Sequence, residues 1–197
     1  MKKYLAMLLA GALSVSLLAG CGGSNGSDSA ASNAGSASNG SADQSNVIKI
    51  GGIGPLTGSG AVYGIATKTG AQVAVDEINA LGGLQFALDF QDDEGDAEKA
   101  VNAYNNLKGK GMQVLYGTTT TTPCVAAETF NDRIFQLTPS ASSTKVTEGR
   151  DNVFQACFTD PNQGKAAADY IKEHQLGTKV AAIYNNGDPY STGIFNA

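Results

Sequence analysis

From residue 47 onward, short runs of branched apolar residues alternate with longer segments of helical period, and few folds are compatible with that alternation. Residues 47–53 (VIKIGGI), 86–91, 113–116, 133–137, 153–158 and 179–184 read as strands. Between the first two, Ala66, Gly70, Val73, Ala74, Ile78 and Leu81 recur at helical spacing before Gly82-Gly83 ends the segment. Asp96 is placed to cap a second helix with Ala97, Ala100, Val101, Tyr104 and Leu107 on its inner face. Thr122-Pro123, Asp160-Pro161 and Asp188-Pro189 each set a capping residue before a proline, whose missing N–H costs nothing at the first helical position. The middle pair opens a helix through Gly164, Ala167, Ala168 and Ile171, whereas 133–137 leads into a Ser/Thr loop with no clear helix. Strands alternating with helices predict an α/β fold with a parallel sheet and right-handed crossovers.

The segment before this pattern has a different character. Lys2 and Lys3 precede an apolar run from Tyr4 to Leu18, too short for a membrane span, which needs roughly 20 residues. Ala19, Gly20 and Cys21 follow, so residues 1–20 read as a secretory signal peptide. From Gly22 to Asn46 every residue except Asp28, Asp43 and Gln44 is Gly, Ser, Ala or Asn. Such a stretch cannot bury enough apolar surface to offset its ordering entropy, and as a coil it reaches about 25–30 Å. Residues 21–46 are therefore a flexible linker.

Charge narrows the choice of partner. The formal net charge is −5, and removing Lys2 and Lys3 leaves the body more acidic still. Phosphate backbones and anionic lipid surfaces are held by clustered Lys and Arg, so neither nucleic acid nor charge-driven membrane docking is expected. With 42% hydrophobic residues the chain has material for a packed core.

Several chemistries lack their residues. No H-E-x-x-H, C-x-x-C or G-x-x-x-x-G-K-[ST] occurs, and no metal or cofactor is expected. Gly52, Gly54 and Gly58 follow a strand, but their G-x-G-x-x-x-G spacing, broken by Pro55, does not fit a dinucleotide loop. The single histidine, His174, lies beside Lys172 and Glu173 late in a helix and reads as a solvated surface residue. Cys124, on the expected first turn of a helix, and Cys157, in an expected strand, read as free thiols; a disulfide is chemically permitted outside the cell but spacing cannot establish one.

What remains is a concentration of hydroxyls at strand ends, where open α/β sheets bind ligands. Thr118 to Thr122 follow the third strand, and Thr138-Pro139-Ser140-Ala141-Ser142-Ser143-Thr144 follow the fourth. Hydroxyls and free backbone N–H groups there suit a carboxylate. Asp160, after the fifth strand, could hold a positive group, and Tyr63 and Tyr190 could supply apolar walls. Plain caps for helices and turns would use the same hydroxyl residues.

Two resemblances sharpen this reading. Leu18-Ala19-Gly20-Cys21 resembles the lipobox of bacterial lipoproteins, which implies lipidation at Cys21 and anchoring to the outer face of the cell membrane through lipid alone. The body resembles the Leu/Ile/Val-binding family of ABC-transporter substrate-binding proteins, on I-x-P-L-T-G-x-x-A-x-Y-G at 53–64, QVAVDEINALGG at 72–83 and DDEGDAEKAVNAYNNL at 92–107. LTPSASS at 137–143, FTDPNQG at 158–164 and NNGDPYSTG at 185–193 continue it in the family's order.

The resemblance implies a type 1 periplasmic binding fold with the ligand between two lobes, lobe one (47–160) largely present and lobe two (161–197) truncated, as in an N-terminal fragment. It implies that Thr121, with Thr120 beside it, holds a ligand carboxylate. It further implies that Ser140, Ala141 and Ser142 grip carboxylate and ammonium, that Asp160 faces the ammonium, and that Tyr63 and Tyr190 line the cleft. Asp92 and Asp93 read as structural. Some relatives tie the loop after the second strand to the third by a disulfide; Glu94-Gly95 stand there, so that crosslink is not expected.

The expected function is thus a non-enzymatic extracytoplasmic receptor that binds an amino acid, branched-chain by default, and delivers it to an ABC permease and its ATPase subunits. A ligand-sensing domain for a signalling partner is the alternative on the same fold. A secreted hydrolase would need a base beside Ser140 or Ser142, and His174 is badly placed for it.

Overall fold

A computed structural model describes residues 47–197. The expected signal peptide, the Cys21 lipidation site and the linker lie outside the described residues. Five strands, β1 (Val47–Gly54), β2 (Gln85–Asp92), β3 (Val114–Gly117), β4 (Phe135–Thr138) and β5 (Val153–Gln155), form one sheet in the order β2-β1-β3-β4-β5. Every pairing is parallel. Helices α1 (Ala61–Ala80), α2 (Ala97–Gly109) and α3 (Ala126–Asp132) connect strands, and α4 (Asp160–Glu173) and α5 (Pro189–Phe195) follow β5. Because β1 lies between β2 and β3, the chain reverses direction across the sheet there and opens a crevice at the carboxyl ends of β1 and β3.

The period of two along each strand sorts the two faces. Ile53 of β1 and Leu115 of β3 point to the face that α2 covers with Ala100, Ala103, Tyr104 and Leu107, and all six are buried. Asp96 caps α2 as expected, accepting the Lys99 N–H at 2.9 Å. Tyr104 donates its hydroxyl to Asp132 at 2.7 Å, tying α2 to the end of α3. A second cluster joins Ala126 of α3 to Ala141, Val146 and Val153.

Four expectations differ. In α1 only Gly64 and Val75 are buried, whereas Val73, Ile78 and Leu81 are 50%, 46% and 85% exposed. Helical period marks an apolar stripe; it does not supply a partner for it. Residues 179–184 form no strand, and Val180 and Ile183 are exposed, because a strand exists only by pairing and no partner lies beside them among the described residues. Pro123 sits in a turn and α3 begins at Ala126, so Cys124 precedes the helix; Thr122 turns its hydroxyl toward Asp188 instead of capping. β5 ends at Gln155, which leaves Cys157 in the loop beyond it.

Candidate functional site

The run of five threonines after β3 is divided by burial. Gly117 has φ +136°, open to glycine and strained for other residues, and a Cβ there would overlap the Ile53 carbonyl of β1. This close approach drops the chain into the crevice. Thr118 and Thr119 are then fully buried, with the Thr119 N–H donating to the Ile53 carbonyl at 3.1 Å. Thr120 and Thr121 are half-buried and line a cavity of about 530 Å³. Thr122 is exposed and donates its hydroxyl to Asp188 at 3.1 Å.

Tyr63, Ser140, Ser142 and Tyr190 line the same cavity. Tyr63 arrives on the first turn of α1, which Gly64 lets approach the β1 exit: a Cβ at Gly64 would overlap the Pro55 carbonyl. Tyr190 stands on the first turn of α5, its hydroxyl 3.3 Å from Gln163. The β3-exit and β4-exit loops meet where the Ser142 N–H donates to the Thr121 hydroxyl at 3.2 Å.

Two expected site residues lie behind the cavity wall. Ala141 is fully buried, and its N–H is already donated to the Thr138 hydroxyl at 3.0 Å. Asp160 is 1% exposed; one carboxylate oxygen accepts the Ser142 hydroxyl at 2.6 Å and the other has no hydrogen-bond partner. Its N–H donates to the Ser142 carbonyl at 3.0 Å, so Asp160 and Ser142 grip one another twice. Burial pushes the Asp160 carboxyl above its ordinary pKa, against the opposing Ser142 hydrogen bond.

The sequence reading missed Asp188, the carboxylate that does line the cavity. Burial alone would raise its pKa, but hydrogen bonds from Ser191 and Thr122 outweigh that and hold it below the ordinary value. Asp188 was legible as the cap of α5, where it accepts the Ser191 N–H at 3.0 Å; that the cap faces a cavity is a tertiary fact. Cys157, Phe158 and Gln163 also line it, placed there by the early end of β5. Cys124 and Cys157 are free thiols whose pKa burial pushes up. His174 caps the far end of α4 against Tyr170 and lies outside the cavity lining. Among the described residues no cluster of three or more His, Cys, Asp or Glu is arranged to hold a metal ion.

The cavity is therefore a hydroxyl-rich pocket with one ionised carboxylate and three aromatic side chains, at the carboxyl end of a parallel sheet. A family model described as "Periplasmic binding protein" matches residues 47–197. The chain belongs to that family. It is 35% identical over 156 residues to the Leu/Ile/Val-binding protein homolog 3 of Brucella melitensis, a match covering 76% of this chain and 42% of that protein. Among solved structures it resembles the branched-chain amino acid transporter substrate-binding protein of Streptococcus pneumoniae, in complex with isoleucine. That match has a TM-score of 0.71 and 32% identity, over 76% of this chain and 45% of the other. An ABC transporter substrate-binding protein of Desulfitobacterium hafniense, in complex with Leu, matches with a TM-score of 0.63 and 26% identity, over 76% and 45%. The chain spans less than half the length of these relatives. The family and these neighbours are substrate-binding proteins of transporters, not enzymes, and family membership places the chain outside the cytoplasm.

Proposed function

We propose that the complete protein is a lipid-anchored solute receptor that binds an amino acid, branched-chain by default, and delivers it to an ABC permease. The observation that carries the reading is the cavity's pairing of uncharged donors with one ionised carboxylate. Thr120, Thr121 and Ser140 present hydroxyls, and Ser142 its N–H, to the ligand carboxylate, and Asp188 faces its ammonium. Tyr63, Phe158 and Tyr190 enclose the side chain. Asp160 acts from behind, aiming Ser142. Residues 47–160 form lobe one and 161–197 begin lobe two, with closure about the segment near Asp160. Anchoring at Cys21 rests on the Leu18-Ala19-Gly20-Cys21 pattern.

Asp188→Asn tests the assignment, because Asn caps a helix as well as Asp and removes only the charge. In the complete protein, titration calorimetry with L-leucine and its deamino analogue 4-methylpentanoate is expected to show a loss of about 10-fold or more for leucine. Little change is expected for the analogue. Equal affinities of wild type and variant for leucine would remove Asp188 from the site. A wild type that gives no thermal shift with any of the twenty amino acids would overturn the receptor reading.

A further inference from the structure

The two loops that form the cavity wall are joined beneath it by a residue that touches no part of the cavity. Thr138, the last residue of β4, is fully buried. Its hydroxyl donates to the Thr118 carbonyl at 2.7 Å and accepts the Ala141 N–H at 3.0 Å. A carbonyl can only accept and an N–H can only donate, so the direction of both bonds is fixed. One side chain thus holds the β3-exit loop through Thr118 and the β4-exit loop through Ala141. Thr121 lies three residues beyond the first anchor and Ser142 one beyond the second.

At the wall itself the loops are joined by the Ser142 N–H bond to the Thr121 hydroxyl, 3.2 Å. Those are the groups a ligand carboxylate would engage, so that bond exchanges with ligand bonds. The Thr138 bridge does not. Behind it, Gln136 donates to the Gly117 carbonyl at 2.7 Å and accepts the Thr129 hydroxyl at 2.5 Å. Gln136 and Thr129 are fully buried as well.

We infer that Thr138 is a positioning residue of the carboxylate cradle, setting the spacing of the Thr121 and Ser142 donors before ligand arrives. The inference rests on the amino-acid reading of the cavity. Removing the hydroxyl leaves the Thr118 carbonyl and the Ala141 N–H buried without their partner, and the loops relieve this by separating. A hydroxyl that merely satisfies buried groups would give a different result, and Thr129 supplies the contrast. Its hydroxyl is equally buried, donates to Gln136 at 2.5 Å with the Val125 and Ala126 carbonyls in reach, and makes no bond to the cavity-wall segments 118–122 and 139–144.

The test compares Thr138→Val, Thr138→Ser and Thr129→Val in the complete protein by titration with L-leucine and L-leucinamide, which differ only at the carboxylate, alongside thermal unfolding. Thr138→Val is expected to bind leucine about 10-fold more weakly or worse and leucinamide nearly as before, so that the ratio of the two affinities collapses. Thr138→Ser restores the ratio, and Thr129→Val unfolds earlier but keeps it. If Thr138→Val does not fold, Thr138→Cys, whose thiol is weaker as donor and acceptor, reads the same ratio. A folded Thr138 variant with lower thermal stability and an unchanged ratio overturns the inference, as does Thr129→Val losing the ratio equally. A wild type that binds no leucine overturns the branched-chain reading, and this inference with it.

Discussion

The two faces of the sheet are held very differently. Under α2, Ile53, Ala100, Tyr104, Leu107 and Leu115 are each at most 1% exposed. Under α1, an apolar cleft of about 290 Å³ remains between Ala71, Ala74 and Ile78 of the helix and Ile50, Phe86 and Tyr116 of the strands. Further along the α1 face, Phe135 and Phe154 stack at 5.3 Å and stay 45% and 47% exposed. Both helices carry an apolar stripe in the sequence, but only one stripe is closed over by the described residues. Stability in residues 47–197 is therefore concentrated on the α2 face.

The sharpest challenge to this contrast is a pair of truncations. Leu107→Ala is expected to cost about 2–5 kcal/mol, by lost transfer energy and a cavity. Ile78→Ala, on the half-open stripe, should cost under about 1 kcal/mol. Denaturant unfolding of both variants checks the difference, and similar costs would abolish the distinction between the faces.

The next effect is a pH dependence at the turn into α2. Asp93 is fully buried, and burial pushes its carboxyl from 3.8 up to about 6, against a hydrogen bond from the Gly95 N–H. A carboxyl raised on folding binds its proton more tightly in the native state. Its contribution is therefore complete below about pH 4, lost as pH rises through 6 and constant above. Asp93→Asn should remove that slope and stabilise the protein at pH 7 by at most about 3 kcal/mol. Unfolding free energies between pH 4 and pH 8 measure it, and an unchanged slope would clear Asp93. Its neighbour Asp92 goes the other way: burial raises it, but hydrogen bonds from Thr57, Leu56 and Glu94 prevail and keep it ionised.

A smaller effect refines the same face. Asp96→Ala removes the cap of α2 and should cost about 1 kcal/mol, while Asp96→Asn should cost a few tenths. If thermal unfolding shows the two variants to be equal, α2 does not depend on its cap.

These differences also explain what the sequence disclosed. β1, β2 and the capped start of α2 were legible because their signals are local: branched runs, a period of 3.6 and a side chain answering its own N–H groups. Of the expected site residues, Tyr63, Thr120, Thr121, Ser140 and Ser142 share one cavity because loops leaving parallel strands are delivered to the same end of the sheet, and Tyr190 joins them from α5. Asp160 was legible as a helix start but not as a buried support, since that depends on Ser142 arriving from eighteen residues earlier. Residues 179–184 have the composition of a strand, and composition does not provide a neighbour to pair with. Asp188 and Phe158 reach the cavity through the placement of α5 and the early end of β5, which no local pattern records.

The threonine run after β3 has a consequence for how this chain can vary. Five identical letters suggest interchangeable positions, yet tolerance should change from one to the next. At 119 a larger residue would meet Gly54, where a Cβ on the glycine would already collide with the threonine hydroxyl. At 118 the demand falls on the main chain, whose carbonyl must stay within reach of Thr138. Positions 120 and 121 answer to the cavity, where the Thr121 hydroxyl also accepts the Ser142 N–H, and 122 answers only to the carboxylate opposite. A low-complexity stretch can thus hold unequal amounts of information per residue, visible only in the order in which its members go under the surface.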